Sequence, residues 1–263
     1  MKVMSRVMSK VLTNIEAQVT GLDWQAIADA LNAHGHAIVP GMLSGGECAA
    51  MAARYAQPEL FRSRVMMARH GFGSGEYQYF SYPLPPTVAA LRHALYAPLA
   101  AIANRWHEAL GMAARFPADH ADFLARCHAA GQTRPTPLLL QYGAGDYNCL
   151  HQDLYGEHVF PLQAAILLSR PGIDFDGGEF VLTEQRPRMQ SRVAVAPLRQ
   201  GDMVLFPVNQ RPVAGARGVY RVTMRHGVSP VRAAPARTPG VGTGGPPGTP
   251  RRHTLGIIFH DAS

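Results

Sequence analysis

The order of apolar and polar positions divides the chain into a first half with a helical pattern and a second half with a strand pattern. Before about residue 136, apolar residues recur three or four positions apart. In LDWQAIADALNAHG, the apolar residues from Leu22 to Leu31 share one helical face, and Gly35 is a natural stop. The run HAIVPG that follows predicts a short strand.

The rest of the first half continues this pattern. Ser44 and Glu47 have the spacing of a capping box, which predicts a helix through about Ala56. Residues 64–80 are strand-like and are broken by GFGSGE, a turn signal. PPTVAALRHALYAPLAAIANRWHEALG predicts a long helix, interrupted at Pro98, and PADHADFLARCHAAG predicts another.

After Thr136 the pattern changes to short apolar or alternating runs separated by Gly, Pro and Asp. These runs are TPLLLQYG, LQAAILLS, GEFVLTE, RVAVAPL, DMVLFPV, YRVTMRHGV and HTLGIIFHD. Short strands at this spacing predict an antiparallel sandwich or barrel. We therefore predict an α+β fold in one unit, in which residues 1–135 form a helical N-terminal layer and residues 136–263 form the β core.

One segment of the β half, residues 233–250, is rich in Pro and Gly and has almost no large apolar side chains. Such a segment buries too little surface to offset its ordering entropy. We predict a mobile loop there, inserted between two strands.

Composition excludes some classes of protein. The chain is 47% hydrophobic and 16% charged, which excludes a disordered protein. No run reaches the roughly 18 apolar residues that a membrane span needs, and the N-terminus lacks a continuous apolar signal core. We expect a cytoplasmic protein with no membrane partner.

The cysteine residues and the net charge give little information about function. Cys48, Cys127 and Cys149 form no CxxC pair, so we expect reduced, mostly buried thiols. The net charge of +7 and the pI near 9.7 suit a polyanionic partner. A composition rich in Ala, Gly, Pro and Arg raises the pI in the same way without such a partner.

The tripeptide His-x-Asp occurs twice. His120 and Asp122 lie in a predicted helix, where positions two apart do not face each other, and we expect a solvated pair without a metal role. His151 and Asp153 follow a strand and the turn AGDYN. In an extended chain, both side chains of this pair point to the same face and can reach one cation.

The downstream strands supply a third ligand. His226 lies on the predicted strand VTMRHGVSPV, and Arg252 begins the strand RHTLGIIFHD. Two histidines and one carboxylate form the facial triad of non-haem Fe(II) oxygenases, which leaves positions open for substrate and O2.

These residues give the chain a specific resemblance. Residues 136–262 resemble the Fe(II)/2-oxoglutarate-dependent dioxygenase superfamily through YGAGDYNCLHQD, GGEF, PLRQGDMVLFP, RHGVSPV and a terminal Arg-x-Thr strand. The segment HAIVPGMLSGGEC resembles the opening segment of these enzymes. Within the superfamily, the chain most resembles bacterial oxygenases linked to the oxidation of alkylated nucleic acid.

The resemblance implies a double-stranded β-helix, or jelly roll, with His151, Asp153 and His226 as catalytic Fe(II) ligands. It implies that Arg252 binds the distal carboxylate of 2-oxoglutarate, which a planar guanidinium grips with two hydrogen bonds. Thr254 and Tyr142 are further expected contacts of this cosubstrate. The other expected reactant is O2, and ascorbate serves as the reductant in vitro.

Two departures from the family pattern bear on this expectation. The tract from Tyr142 to Asp153 is similar to one in the alkylation-repair dioxygenases. Those enzymes have an Asn two residues before the tyrosine that corresponds to Tyr142, whereas this chain has Leu140 there. The loop also separates His226 from Arg252 by more residues than is usual, so Arg251 and Arg232 stay open as alternative carboxylate anchors.

Three functions follow from these features. The first is hydroxylation of a C–H bond in modified nucleic acid, which amounts to demethylation when the carbon is an N-methyl. The second is hydroxylation of a protein side chain, as in prolyl hydroxylases, or of a metabolite. The third is a cupin-like metal-binding module without redox chemistry. The oligomeric state is left open.

Two tracts are candidate substrate surfaces, because aromatic side chains stack bases and arginines bind phosphates. One is the aromatic tract from Tyr77 to Pro86. The other is PVNQRPVAGARGVYR, with Arg211, Arg217 and Arg221.

Overall fold

Two antiparallel sheets and a layer of helices make up the fold. The computed structural model describes residues 13–216, 218–234 and 251–263. Residues 13–20 are helical, and the later helices are α1 Trp24–His34, α2 Gly45–Ala53, α3 Pro86–Ala109 and α4 His120–Ala129. Short 3₁₀ turns lie at Arg54–Ala56, Pro58–Leu60 and Met67–His70.

The strands are numbered in chain order. They are β1 Ala37–Val39, β2 Phe61–Met66, β3 Gly73–Ser74, β4 Glu76–Phe80, β5 Leu138–Tyr142, β6 Tyr147–His151, β7 Leu162–Leu167, β8 Asp176–Gly177, β9 Phe180–Gln185, β10 Arg192–Ala196, β11 Met203–Pro207, β12 Gln210–Gly215, β13 Gly218–Val228, β14 Val231–Arg232 and β15 Arg252–Ile257.

The larger sheet has the order β1-β11-β7-β15-β5-β4-β2, and the smaller has the order β10-β9-β13-β6-β3 with β12 beside β13. The strand pairs in both sheets are antiparallel. The chain thus has the α+β architecture with a jelly-roll core that the sequence predicted.

The helices cover the outer face of the larger sheet. Apolar side chains of α3, among them Leu95, Leu99 and Trp106, join one buried cluster with Leu255 and Ile257 of β15. A second cluster lies between the two sheets and includes side chains of β5, β7, β9, β11 and β13. The alternation of side chains along each strand therefore separates a helix-facing core from an interior that holds the site.

Local signals position the first helices as predicted. Gly35 adopts a left-handed conformation, with φ of 74°, and its N–H closes α1 on the Leu31 carbonyl. Ser44 and Glu47 form both hydrogen bonds of a capping box at α2. The regular helix ends at Ala53, and a 3₁₀ turn continues it to Ala56.

One expectation about the helices needed correction. The long helix is not interrupted at Pro98: α3 continues across it, because the flanking residues Tyr96 and Leu99 are held in the core. The cysteines are mostly buried, as expected: Cys48 and Cys127 are buried and Cys149 is exposed. The strands expected at HAIVPG and within residues 64–80 are present, and β1, β2 and β4 join the larger sheet.

Most of the predicted loop at 233–250 lies outside the described residues, since positions 235–250 are not described. The division of the chain at residues 135 and 136 stays a prediction. In the part of the chain that is described, no helix has the length and apolar character that crossing a membrane requires.

Candidate active site

The His-x-Asp pair lies at the end of β6, where the chain leaves the smaller sheet. Gln152 lies between the two residues, and its Nε2 donates to the Met224 carbonyl of β13 at 2.7 Å. His151 and Asp153, on either side of it, converge on one face, as expected for an extended chain. His151 Nε2 lies 3.4 Å from Asp153 Oδ1.

The fold brings the third residue of the triad to this pair. His226 on β13 is directly opposite His151 on β6 in the sheet register, and the two imidazole centroids are 4.2 Å apart. His226 Nε2 lies 3.4 Å from Asp153 Oδ2. One ligand atom from each of the three residues lies within 4.8 Å of the other two, and no other such group is found among the described residues.

The donor set and its hydrogen bonds fit a divalent transition metal. His151 Nδ1 lies 2.8 Å from the Cys149 carbonyl. A hydrogen bond there puts the proton on Nδ1 and leaves the Nε2 lone pair directed at the cluster, as in metal-binding histidines. Two imidazoles and one carboxylate suit Fe(II), and three ligands leave coordination positions open.

The three residues of the triad shift one another's pKa values. Burial would raise the pKa of Asp153, but hydrogen bonds and charge interactions with both histidines hold it well below its ordinary value. Burial would lower the pKa of His151, but Asp153 raises it overall. Burial, with the nearby charge of His151, lowers the pKa of His226. The Asp153 carboxylate is therefore ionised and the His226 imidazole is neutral. Both groups are in the protonation state that a metal ligand needs.

Two residues that the sequence did not reveal hold the carboxylate. The Tyr155 hydroxyl donates to Asp153 Oδ1 at 2.7 Å. Gln163 Nε2 donates to Asp153 Oδ2 at 2.9 Å. Gln163 lies in the run LQAAILL, which the sequence pattern identifies only as a buried strand. Tyr155 is two residues after Asp153, and this short spacing could have identified it as a neighbour of the carboxylate.

Arg252 lies at the other end of the same interior. It is 1% exposed, its Nη1 donates to Thr254 Oγ1 at 2.7 Å, and its guanidinium carbon is 5.4 Å from the centre of the Tyr142 ring. No carboxylate forms an ion pair with Arg252 within the described residues, and its Nε has no hydrogen-bond partner there. Burial lowers its pKa to about 10.

A buried cation without an ion-pair partner is a site for an anion, because charges in protein interiors are normally paired. The Tyr142 hydroxyl is also buried without a partner among the described residues. Together with the Thr254 hydroxyl, this group fits one carboxylate of 2-oxoglutarate. The alternatives are placed differently: Arg251 is exposed, and the exposed Arg232 lies 3.4 Å from Asp176.

The triad and Arg252 line one cavity of about 200 Å³. Arg252, Thr254, Gly256 and Ile258 alternate along its wall, so the cavity follows the inner face of β15. Leu140, which replaces the expected Asn, is an apolar part of this wall. Asn148 of β6 also lines the cavity, so an amide side chain reaches this region from another strand.

The remaining predicted residues divide between the cavity and the core. Tyr77 lines the cavity, but Tyr79 and Phe80 of the same tract are buried. Arg211 is not a free phosphate ligand, because it is buried in an ion pair with Glu184. Arg221 is exposed, and the side chain of Arg217 is not described.

The decoy His-x-Asp needs one correction. His120 is buried, so the pair is not solvated as expected. Its Nε2 contacts the Phe259 carbonyl at 2.8 Å, and its ring stacks on Tyr96. His120 therefore has a place in the helix-facing core.

Comparison with known proteins gives a consistent result. Residues 75–243 match the model of the Oxygenase-NA family, described as an oxygenase catalysing oxidative methylation of damaged DNA. Two uncharacterised Mycobacterium tuberculosis proteins, MT2286 (strain CDC 1551 / Oshkosh) and Rv2227 (strain H37Rv), are each 46% identical over 184 residues, which are 70% of this chain and 72% of the relative.

A solved structure shares the fold. It is an oxidoreductase of the 2OG-Fe(II) oxygenase family from Burkholderia pseudomallei, with a TM-score of 0.50 and 16% identity. The alignment covers 92% of this chain and 94% of that chain.

Proposed function

This chain belongs to the Oxygenase-NA family, and from that premise we propose that it removes alkyl groups from damaged nucleic acid at the His151–Asp153–His226 centre. The enzyme is an oxidoreductase that requires Fe(II), 2-oxoglutarate and O2. The proposal concerns the substrate and the residues that perform the reaction.

One observation carries the assignment of residues. A cluster that can hold a metal, and a buried arginine without a carboxylate partner among the described residues, line the same cavity. A metal-binding module without redox chemistry has no use for such an arginine, whereas a dicarboxylate cosubstrate supplies the anion that it lacks.

Each residue then has a role. His151, Asp153 and His226 hold Fe(II), and Arg252, Thr254 and Tyr142 bind the distal carboxylate of 2-oxoglutarate. Bound Fe(II) supplies the redox chemistry, in which one oxygen atom of O2 enters succinate, formed with CO2, and the other converts a substrate C–H to C–OH. The apolar walls, including Leu138 and Leu140, exclude water from the reacting groups.

The product of N-methyl oxidation is an N-hydroxymethyl group. This group breaks down to formaldehyde and N–H, so the net result is removal of the methyl group. The side chains at the mouth of the cavity orient the C–H bond of the substrate toward the metal site.

A finger of residues 67–75 at this mouth supports a nucleic-acid substrate. Phe72 lines the cavity but is 46% exposed, and its ring stacks on His70 with 5.3 Å between centroids. Arg69 beside them is exposed. The Phe72 carbonyl accepts from the Cys149 N–H at 2.9 Å, which holds the finger against β6. Aromatic faces stack unpaired bases and arginine binds phosphate.

The test has two stages. Succinate formation by the purified protein with Fe(II), 2-oxoglutarate, ascorbate and O2 is measured first, with His226→Ala as the control. Single-stranded oligonucleotides carrying one methylated base are then compared with proline-containing peptides, and formaldehyde release is measured together with salt-dependent binding.

Formaldehyde from oligonucleotides, absent with His226→Ala, is the expected result. Succinate that rises with peptides and not with any oligonucleotide would contradict the nucleic-acid substrate and favour a side-chain hydroxylase. Equal succinate from wild type and His226→Ala would contradict the assignment of the centre.

A further inference from the structure

Two arginines beside the metal end of the cavity have no carboxylate partner. Arg62 lies on β2 and Arg134 lies shortly before β5, and neither forms an ion pair within the described residues. Arg134 is exposed and Arg62 is half-buried. The Nη atoms of Arg62 have no hydrogen-bond partner in this part of the chain and are open to solvent. An anion can therefore reach both guanidiniums from outside.

Both arginines are held in place by contacts that leave these donors free. Arg62 Nε donates to the Pro135 carbonyl at 2.9 Å, and its guanidinium carbon lies 4.5 Å from the centre of the Tyr79 ring. The Arg134 backbone is fixed by two hydrogen bonds with Ala262, of 3.0 Å from its N–H and 2.8 Å to its carbonyl. A guanidinium that is already oriented loses less entropy when it binds an anion.

The charges around Arg62 favour an anion. Burial lowers the pKa of Arg62, and the nearby charge of Arg134 adds to this effect. Asp261 acts in the opposite direction, but its buried carboxylate already pairs with Arg92 at 2.7 Å and lies 2.9 Å from His128 Nε2. Two neighbouring guanidiniums without a carboxylate of their own match the charge and the hydrogen-bonding geometry of a phosphate.

Tyr79 connects this pair of arginines to the metal end of the cavity. The centre of its ring lies 5.3 Å from that of Tyr77 and 6.2 Å from that of Tyr155. Both of these neighbours line the cavity, and the Tyr155 hydroxyl donates to Asp153 at 2.7 Å. Arg62 therefore lies just outside the aromatic wall that separates it from the metal site.

The expected cosubstrate does not supply the anion. Tyr79 packs in one buried cluster with Ile258, which is six positions after Arg252. Six residues of extended chain span about 20 Å. 2-Oxoglutarate, bound between Arg252 and the triad, is too short to extend to Arg62 as well. The anion that remains is a group on the prime substrate, outside the part that enters the cavity.

We propose that Arg62 and Arg134 form a phosphate-binding subsite, which holds a phosphodiester next to the nucleotide whose base enters the cavity. This inference rests on the proposed function and deepens it. It makes the substrate a nucleic-acid strand rather than a free base or nucleoside. It also assigns part of the affinity for that strand to residues that do not contact the metal or 2-oxoglutarate.

The first experiment measures how salt affects the binding of a fluorescein-labelled single-stranded oligonucleotide with one methylated base. Affinity is measured by fluorescence anisotropy between about 50 and about 200 mM NaCl, with Mn(II) and 2-oxoglutarate and without O2. Arg62→Gln and Arg134→Gln are each expected to weaken binding about fivefold at the lowest salt concentration. The double variant is expected to reduce the slope of log affinity against log salt by about 0.7, the contribution of one phosphate in a single strand.

Arg105→Gln is the matched control. Arg105 is exposed on α3, in the helical layer, and forms no ion pair within the described part of the chain. Its replacement removes the same charge away from the cavity and should leave the slope unchanged. All variants should form succinate at the wild-type rate without an oligonucleotide. Arg134→Gln loses only an exposed side chain, so its test does not depend on a disturbed fold.

The second experiment locates the subsite on the strand. Each phosphodiester near the methylated nucleotide is replaced in turn by a neutral methylphosphonate. Wild type is expected to lose about fivefold or more in affinity at one linkage. The same replacement should have almost no effect on the double variant, because the two changes remove the same interaction.

Several outcomes would overturn the proposal. An unchanged salt slope in the double variant would do so and leave the nucleic-acid function intact, and so would equal wild-type binding of every methylphosphonate oligonucleotide. A loss at one linkage that persists in the double variant would assign that phosphate to other residues. An equal change of slope in Arg105→Gln would show an effect of net charge alone. Absence of binding and turnover with every oligonucleotide, while succinate is still formed, would overturn this inference and the nucleic-acid substrate together.

Discussion

Replacement of Arg252 is expected to stabilise the protein when 2-oxoglutarate is absent and to abolish its response to 2-oxoglutarate. The guanidinium is buried, and burial lowers its pKa from 12.5 to about 10. Each unit of pKa shift corresponds to about 1.36 kcal/mol, so keeping Arg252 charged lowers the stability of the folded protein at neutral pH by about 3 kcal/mol. Arg252→Met relieves this cost.

Some favourable interactions are lost with the arginine. The hydrogen bond to Thr254 and the contact with the Tyr142 ring each contribute about 1 kcal/mol. The net gain for Arg252→Met is therefore about 1 kcal/mol, or roughly 2–4 °C in Tm for a chain of this size. Saturating 2-oxoglutarate at about 100 times its Kd stabilises wild type by about 2.7 kcal/mol. The order of the two Tm values should consequently reverse on addition of 2-oxoglutarate.

The assay is thermal unfolding of both proteins, with and without 2-oxoglutarate, in the presence of Mn(II) under nitrogen. Arg251→Met is the control, because Arg251 is adjacent but exposed, and it should behave as wild type in both conditions. An Arg252→Met protein that is less stable than wild type without 2-oxoglutarate, or that still gains stability from it, would refute the reasoning.

Three further predictions concern the metal and the scaffold. His226→Ala should reduce Co(II) affinity by at least about 100-fold, read from the visible absorption of the bound ion, and unchanged affinity would count against the triad. Asp261→Asn should destabilise the protein by about 3 kcal/mol in urea unfolding at pH 7, because it leaves the buried Arg92 without its partner at 2.7 Å. Burial would raise the pKa of Asp261, but Arg92 and neighbouring hydrogen bonds lower it overall, so the difference between variant and wild type should persist down to about pH 4 and shrink only below it. Ser44→Ala should cost about 1 kcal/mol in the same assay through loss of the capping box, and no loss would contradict the contact seen at α2.

The parts of the fold that the sequence predicted are those with local causes. Gly35 ends a helix because of its own conformational freedom, and the Ser44–Glu47 pair closes within three residues. The strand that begins at Arg252 was evident from its apolar run and appears at that residue. The roles of the six site residues stay predictions, although the fold brings all six to one cavity.

The parts that escaped prediction depend on contacts between distant segments. Gln163 is a polar residue in an apolar run, and its contact with the site depends on Asp153, which accepts its hydrogen bond from another part of the chain. Arg211 looked like a surface residue because its partner, Glu184, lies on another strand. His120 looked solvated because its acceptor is the carbonyl of Phe259, 139 positions later in the chain. No spacing rule within a short window contains this information.

The position of β15 between β5 and β7 has a consequence for how the molecule is made. The two neighbours of this strand are complete by residue 167, yet they cannot join into one sheet until residues 252–257 have been synthesised. Until then, β5 and β7 each keep an open edge that can pair with another chain. Closure over so long a sequence separation is slow. We therefore expect nascent chains that lack β15 to depend on chaperones, and the same strand that carries Arg252 to end that dependence.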